Sequence, residues 1–316
     1  MNNSNKHISV LLNSSVDALE IIPDGIYVDA TLGRGGHSEL LLSKLGPNGR
    51  LIGIDQDDEA IKFCQAKFVN DQRVTIVKDN FCNLKKVLTD LKIDFVNGVL
   101  MDLGVSSPQL DNSYRGFSYK LEGPLDMRMD QTAELTAAKI VNEYPAGELV
   151  RIFRQYGDVK NPKPVVSNII KHRTLKPIET TLELVDIIKE AFPVRELYKN
   201  KHPAKVYFQA LRVEVNDELG VLNQAIDEIT SCLCPEGRLA IITFQSLEDK
   251  LVVKKFKELS KNQLPAEIPL KEVWQEFQII NTRAILPSNE ELERNNRAHS
   301  SKLRVLKRTD FNKHAE

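Results

Sequence analysis

Asp29-Ala-Thr-Leu-Gly-Arg-Gly-Gly-His-Ser38, followed by Leu51-Ile-Gly-Ile-Asp55, is the stretch that decides the fold. It reads as strand, glycine turn, helix, strand and acidic residue, the nucleotide-binding half of a doubly wound α/β sheet. Glycine permits positive φ in the turn and close approach of a ligand to the backbone. A carboxylate at the tip of the second strand, Asp55, can accept both hydroxyls of a ribose. An adenosine-containing ligand is the expectation.

Further β-like runs extend the pattern on either side. Ile26–Asp29, Leu51–Ile54, Val74–Val77 and Val96–Met101 are short and apolar, as strands buried on both faces of a parallel sheet are. Amphipathic segments of helical length separate them, among them Glu39 to Leu45 and Asp58 to Phe68. The alternation then stops. Asp111 to Asp130 has no clear period, and Gln131 to Lys201 carries only helical patterns, including Leu149, Phe153 and Tyr156 on one face and a Thr180-x-x-Glu183 capping box. The spacing of Phe208, Leu211, Val215, Leu219, Leu222, Ile226, Ile229 and Leu233 predicts one long helix ended by Pro235-Glu-Gly237. Arg238–Phe244 follows as a buried strand, with late strands at Phe277–Leu286 and Leu303–Lys307. The expected architecture is therefore α/β, with residues 1–110 and 203–316 forming the sheet domain and 111–202 a loop plus helical insertion.

Bulk properties narrow the function classes. The chain has 316 residues, 41% hydrophobic and 28% charged, with a net charge of −1. No global field draws it to nucleic acid, so any such binding rests on local patches. Two qualify: residues 160–205 carry ten Lys/Arg against five Asp/Glu, and 294–313 carry seven against one. Four scattered cysteines make no disulfide framework, and Cys232 with Cys234 lacks the second pair of a zinc site, so reduced thiols and no metal are expected. Met1 to Lys6 is polar, unlike a signal peptide, and no run approaches the roughly 18 apolar residues of a membrane span. A cytoplasmic protein without a membrane partner is the expectation.

The choice of ligand turns on the glycine turn and the fourth strand. A dinucleotide fingerprint wants a third glycine where Ser38 stands. S-adenosylmethionine asks less, since its carboxylate rather than a diphosphate would lie against the N–H groups of Gly35 to His37. Asp55 serves either ligand. Phe81, after the third strand, is either an adenine contact or a core side chain. Asp102, ending the fourth strand, faces the ligand crevice of this architecture or caps a helix.

Longer words sharpen the choice. Thr31-Leu-Gly-Arg-Gly-Gly-His-Ser38, Asp102-Leu-Gly-Val-Ser-Ser-Pro-Gln-Leu-Asp111, Arg115-Gly-Phe-Ser118, Gly123-Pro-Leu-Asp-Met-Arg-Met-Asp130 and Phe208-Gln-Ala-Leu-Arg212 resemble the RsmH/MraW family. Its members are bacterial methyltransferases acting on N4 of a cytosine in the decoding region of 16S ribosomal RNA. The resemblance runs from His7 through Arg308. It implies a Rossmann-like class I S-adenosylmethionine-dependent methyltransferase with an inserted helical domain that recognises RNA, and the small ribosomal subunit as partner. It further implies that Gly35, Gly36, His37, Asp55, Phe81, Asp102 and Gln109 contact S-adenosylmethionine. It assigns no catalytic residue.

Three words depart from the family's pattern: Phe244-Gln-Ser-Leu-Glu-Asp-Lys250 has Gln245 where a histidine is usual, His202-Pro-Ala-Lys-Val206 stands for His-Pro-Ala-Thr-Arg, and Asn295-Asn-Arg-Ala-His-Ser300 has Asn296 for a proline and His299 for an arginine. The loop from Arg115 to Asp130 is the natural lid, its arginines meeting phosphate or pairing with Asp111, Asp126 or Asp130. Two rivals remain: an NAD-dependent oxidoreductase, and a non-catalytic ribosome-assembly factor that keeps the ligand as a structural element.

Overall fold

A computed structural model describes residues 9–197, 202–261 and 275–310. The polar leader, and the basic residues Lys199, Lys201 and Lys313 counted in the two patches, lie outside those residues. The chain packs as two units, one of residues 1–104 with 219–316 and one of residues 105–218.

The first unit begins with α1 (Leu12–Asp17), β1 (Ile26–Asp29), α2 (Gly36–Lys44), β2 (Arg50–Asp55) and α3 (Asp58–Lys67). It continues through β3 (Val74–Lys78), α4 (Leu84–Asp90) and β4 (Val96–Asp102). The second unit holds α5 (Ser107–Asp111), α6 (Ala137–Glu143), α7 (Ala146–Gln155), α8 (Lys163–Arg173), α9 (Thr181–Lys189), α10 (Val194–Leu197) and α11 (Ala204–Val215). The chain then returns through α12 (Glu218–Ser231), β5 (Leu233–Thr243), α13 (Ser246–Leu259), β6 (Phe277–Ile279), α14 (Asn289–Arg294) and β7 (Lys302–Arg308).

The seven strands lie in the order β3-β2-β1-β4-β5-β7-β6. The first five are parallel, and β7 runs antiparallel to both its neighbours. Alternation along each strand sends successive side chains to opposite faces. Val99, Met101 and Ile241 join one core with Leu88 of α4, Ile226 of α12 and Phe256 of α13. Leu100, Ala240 and Ile242 join another with Leu41 of α2 and Val305 of β7. Each such aliphatic side chain, fully buried, stabilises the unit by roughly 1.5–3 kcal/mol. Strand order reverses between β1 and β4, which places a ligand crevice outside the carboxyl ends of those two strands. The expected doubly wound sheet is present.

Three expectations need correction. The long helix is two, because Asp217 takes positive φ (44°) and the Asn216 side chain turns to the backbone of Met127 and Met129, at 2.9 and 2.8 Å. Pro235-Glu-Gly237 does not end a helix. It lies within β5 as a bulge, where the register against β4 shifts between Val96 and Gly98. The run Phe277–Leu286 yields a strand of only three residues, since the Asn281 side chain takes the Val305 N–H at 2.7 Å and stops the ladder.

The helical unit is larger than residues 111–202. It takes in 105–110 and 203–218, because Ala204, Tyr207, Phe208 and Leu211 of α11 are buried against Phe153 and Leu184 of α7 and α9. The capping box at α9 is present: Glu183 accepts from the Thr180 N–H at 3.1 Å while the Thr180 hydroxyl accepts from Glu183 N at 3.3 Å. The loop expected to act as a lid is tied down by its own arginines. Arg115, only 2% exposed, donates to the carbonyls of Arg128 and Met129, each at 3.0 Å. Arg128 pairs with Asp126 at 2.7 Å and donates to the Gln131 and Ala133 carbonyls. The pairing alternative is realised by Arg128, with Asp126; Arg115 is held by backbone carbonyls instead.

Most of the carboxyl-terminal basic patch is spent internally. Lys302 and Arg304 both bind Asp249 at 2.9 Å, Lys307 binds Glu236 at 3.0 Å and Arg308 binds Glu276 at 3.3 Å. Among the described residues no helix is long and apolar enough to cross a membrane. The cysteines are free thiols, and burial pushes Cys64 up to about 12.

Candidate functional site

Three carboxylates end three neighbouring strands of the sheet: Asp55 on β2, Asp29 on β1 and Asp102 on β4. Asp29 is 1% exposed; the Ser38 hydroxyl donates to it at 2.6 Å and the Thr31 N–H at 3.3 Å. Burial raises its pKa above the ordinary carboxyl value, against the pull of His37 and the Ser38 hydroxyl. Ser38, where a dinucleotide fold would have glycine, thus spends its side chain on fixing β1 to α2.

Asp55 is aimed by two backbone donors, Gly33 N at 2.8 Å and Asp57 N at 2.9 Å, one to each oxygen. A carboxylate has about four acceptor sites, so both oxygens can still take a hydroxyl. Burial pushes Asp55 up to about 6 in spite of those donors. Asp102 also reaches about 6 through burial, with His37 opposing and Asp29 adding to the rise. Its N–H donates to the Thr31 hydroxyl at 2.6 Å, and its Oδ1 is buried with no partner. An orphaned carboxylate oxygen is costly unless a ligand supplies a donor or positive charge.

Gly35, Gly36 and His37 form the entry to α2. Gly35 is its N-cap at φ 65° and offers no capping side chain; the Ser38 N–H turns to Asp29, which leaves the Gly36 and His37 N–H groups to an anion such as a ligand carboxylate. Of the two reasons expected for glycine here, positive φ holds at Gly35, while room for a ligand beside 35 and 36 is not what the packing shows. A Cβ on Gly35 would lie 2.8 Å from the Phe68 ring, and one on Gly36 would lie 2.1 Å from Ser9 Oγ. Protein, rather than ligand, fills those spaces. Gly33 is the open position, at φ 48° with nothing nearer than the Thr31 carbonyl at 3.9 Å.

Phe81 opens the short turn Phe81–Asn83 beyond β3, half-buried against the core. Just before it Asp79 N donates to the Asp55 carbonyl at 3.1 Å, tying the β3 tip to the β2 tip. Six of the seven residues expected to touch the ligand therefore lie in the sheet unit, five at the ends of β2 and β4 or on the glycine turn. The seventh, Gln109, belongs to the helical unit, where it is buried and closes a capping box with Ser106 at 2.9 Å. Gln245, the departure from a histidine, sits at the N-cap of α13, with Glu248 accepting from Phe244 N and Gln245 N at 2.8 and 3.0 Å.

Sequence reasoning missed Asp29, Thr31, Gly33 and Ser38 as parts of the site. The signal was available: a carboxylate ending a strand immediately before a glycine turn, with two hydroxyl residues in reach.

The chemistry of this edge favours one of the two ligand classes. The orphaned oxygen of half-buried Asp102, with the buried Asp29 carboxylate acting on it, suits a ligand carrying positive charge, while the start of α2 suits a carboxylate and Asp55 suits a diol. S-adenosylmethionine, with its sulfonium, α-ammonium, α-carboxylate and ribose, fits this donor and acceptor set. A dinucleotide diphosphate would meet like charge.

Comparison with known proteins bears on the same point. The ribosomal RNA small subunit methyltransferase H of Ureaplasma parvum serovar 3 is 51% identical over 302 residues, covering 96% of this chain and 98% of its own. That of Ureaplasma urealyticum serovar 10 matches with the same identity and coverage. Among solved structures, an rRNA methylase from Streptococcus thermophilus aligns over 96% of this chain and 100% of its own, at 14% identity and a TM-score of 0.42. The profile of the MraW methylase family matches residues 4–309, and the chain belongs to that family.

Proposed function

We propose that this protein transfers a methyl group from S-adenosylmethionine to N4 of a cytosine in 16S ribosomal RNA, in the cytoplasm, with the small ribosomal subunit as its partner. The observation that carries the reading is 51% identity, through 96% of the chain, to ribosomal RNA small subunit methyltransferase H. The geometry supports it: acceptors for a diol, a carboxylate site and a buried anionic edge stand at the switch point of one sheet. Gly35, Gly36, His37, Asp55, Phe81 and Asp102 are assigned to donor binding, and Gln109 by family likeness.

The donor supplies an electrophilic methyl carbon when bound, and the reaction needs no metal. What the protein must add is position and a place for charge. The exocyclic amine of cytosine has its lone pair delocalised into the ring, so it must be held by acceptors that let it pyramidalise. Its base must also be splayed from any stack to reach a crevice at a sheet edge. Asp102 Oδ1, buried and without a partner, is the acceptor assigned to an amine hydrogen. Gln245 supplies no base, because a side-chain amide does not take up a proton; it caps α13 instead.

Labelled S-adenosylmethionine incubated with the protein and small-subunit RNA, followed by nucleoside analysis, tests the reading. N4-methylcytidine is expected. Donor binding without any transfer to RNA would favour the assembly-factor alternative.

A further inference from the structure

Val10 and His37 meet across 27 positions of sequence: His37 Nε2 lies 3.0 Å from the Val10 carbonyl oxygen. A peptide carbonyl only accepts, so the hydrogen at this contact sits on Nε2. The other ring nitrogen, Nδ1, then faces Asp102 Oδ2 at 3.9 Å. His37 is 4% exposed, so its ring has little freedom to turn.

The segment that supplies the carbonyl is itself held. Ser9, Val10 and Leu11 are 7%, 6% and 1% exposed. Leu11 takes positive φ (51°) at the start of α1, and its N–H donates to Glu291 Oε1 of α14 at 2.6 Å. Ser9 fills the space beside Gly36 that a side chain there would need.

We propose that Ser9–Leu11 is a strap that sets the state of Asp102 through His37, with His37 as a positioning residue and Glu291 as the anchor of the strap. The proposal rests on the methyl-transfer reading only where turnover is measured.

The electrostatics follow from the geometry. Asp102 is faced by Asp29 from the end of β1 and by His37 from α2; Asp29 also acts on Asp55, on the next strand. Burial pushes Asp102 up to about 6, Asp29 adds to the rise, and His37 works against both. A second proton on the imidazole can enter only at Nδ1, so positive charge arrives beside Oδ2. The carboxylate is then kept ionised with Oδ1 free to accept from the amine. A ring released from Val10 could turn Nδ1 away, and the buried carboxylate would take up a proton instead.

The test reads Asp102 directly. Protein labelled with ¹³C-carboxyl aspartate is titrated without donor, the Asp102 signal being assigned by its loss in Asp102→Asn. His37→Gln is expected to move the Asp102 midpoint upward by about one pH unit or more, a tenfold change in its ionisation constant. Glu291→Ala moves it the same way by less. The acid limb of kcat on 16S RNA should shift in parallel. An unmoved midpoint in a folded His37→Gln protein overturns the proposal.

If His37→Gln fails to fold, Glu291→Ala and the ¹⁵N spectrum of wild-type His37 decide. The Nε2–H tautomer is expected, and a neutral ring protonated at Nδ1 overturns the proposal. Calorimetry with S-adenosylhomocysteine on the wild type separates the two claims, since absence of binding there removes the methyl-transfer reading while the carboxyl titration still judges the strap.

Discussion

The Ser38 hydroxyl donates to Asp29 Oδ2 at 2.6 Å, which pins the first turn of α2 to the end of β1. Both groups are buried, at 0% and 1% exposure, so the bond is made away from water and its loss removes a donor from a buried carboxylate. Ser38→Ala should therefore destabilise the sheet unit by roughly 1–3 kcal/mol. Urea unfolding measures this. Donor affinity should fall as well, because the N–H groups of Gly36 and His37 ride on that turn.

Asp55 and Asp102 are both raised from 3.8 to about 6. A carboxyl whose folded value lies above its unfolded one binds more protons in the folded state between those values. Stability from these groups is therefore gained as pH falls from about 6 toward 4 and lost as it rises. Without donor, the protein should be more stable near pH 5 than near pH 8, by roughly 1–3 kcal/mol per carboxyl before screening and relaxation. Asp102→Asn should flatten the profile. A profile as steep as wild type in that variant would contradict the assignment.

Turnover should follow the opposite slope. Donor binding and amine acceptance both need ionised carboxylates, so kcat/KM should rise through pH 6 and level off above it. Asp102→Asn should lower kcat by about 10²-fold or more, the usual scale for a positioned acceptor or base. Single-turnover assays across pH would read both effects.

Arg115 is a fixture of the helical unit rather than a ligand for phosphate. Arg115→Ala should cost roughly 2–4 kcal/mol, since two buried carbonyls lose their donors and a cavity forms. Arg115→Lys should recover part of the loss, because a single nitrogen, Nη2, reaches both carbonyls and an ammonium has hydrogens enough for two acceptors, on a shorter and less filling side chain. Denaturation of each variant gives the answer.

Arg304 separates structural from RNA-binding charge. It is bound to Asp249 at 2.9 Å and lies largely buried, so Arg304→Gln should destabilise the fold. The slope of log affinity against log salt for 16S RNA should stay as in wild type, whereas loss of a true phosphate contact would reduce it by roughly 0.7–0.9. A reduced slope would return this residue to the RNA surface.

The sheet was legible because its signals are local. Short apolar runs, a glycine turn and strand-end carboxylates appear within a few residues of each other, and Asp29, Asp55 and Asp102 stand at the predicted edge. What escaped depends on partners far along the chain. Asn216 breaks a helix because Met127 and Met129 offer backbone partners. Gly36 is glycine because Ser9 lies against it. The basic run after Arg294 looked free until Asp249, Glu236 and Glu276 were found opposite it. Charge counting along a chain sees one side of a pair, and periodicity cannot see a side chain that intercepts a ladder.

β7, near residue 305, slots between β5 and β6 rather than lying outside them. During synthesis the exposed rim of β5 must wait, with its N–H and C=O groups unmatched, until Lys302–Arg308 has left the exit tunnel. An unmatched rim invites pairing with another nascent chain. Truncation before Lys302 should therefore yield aggregation and not a smaller enzyme.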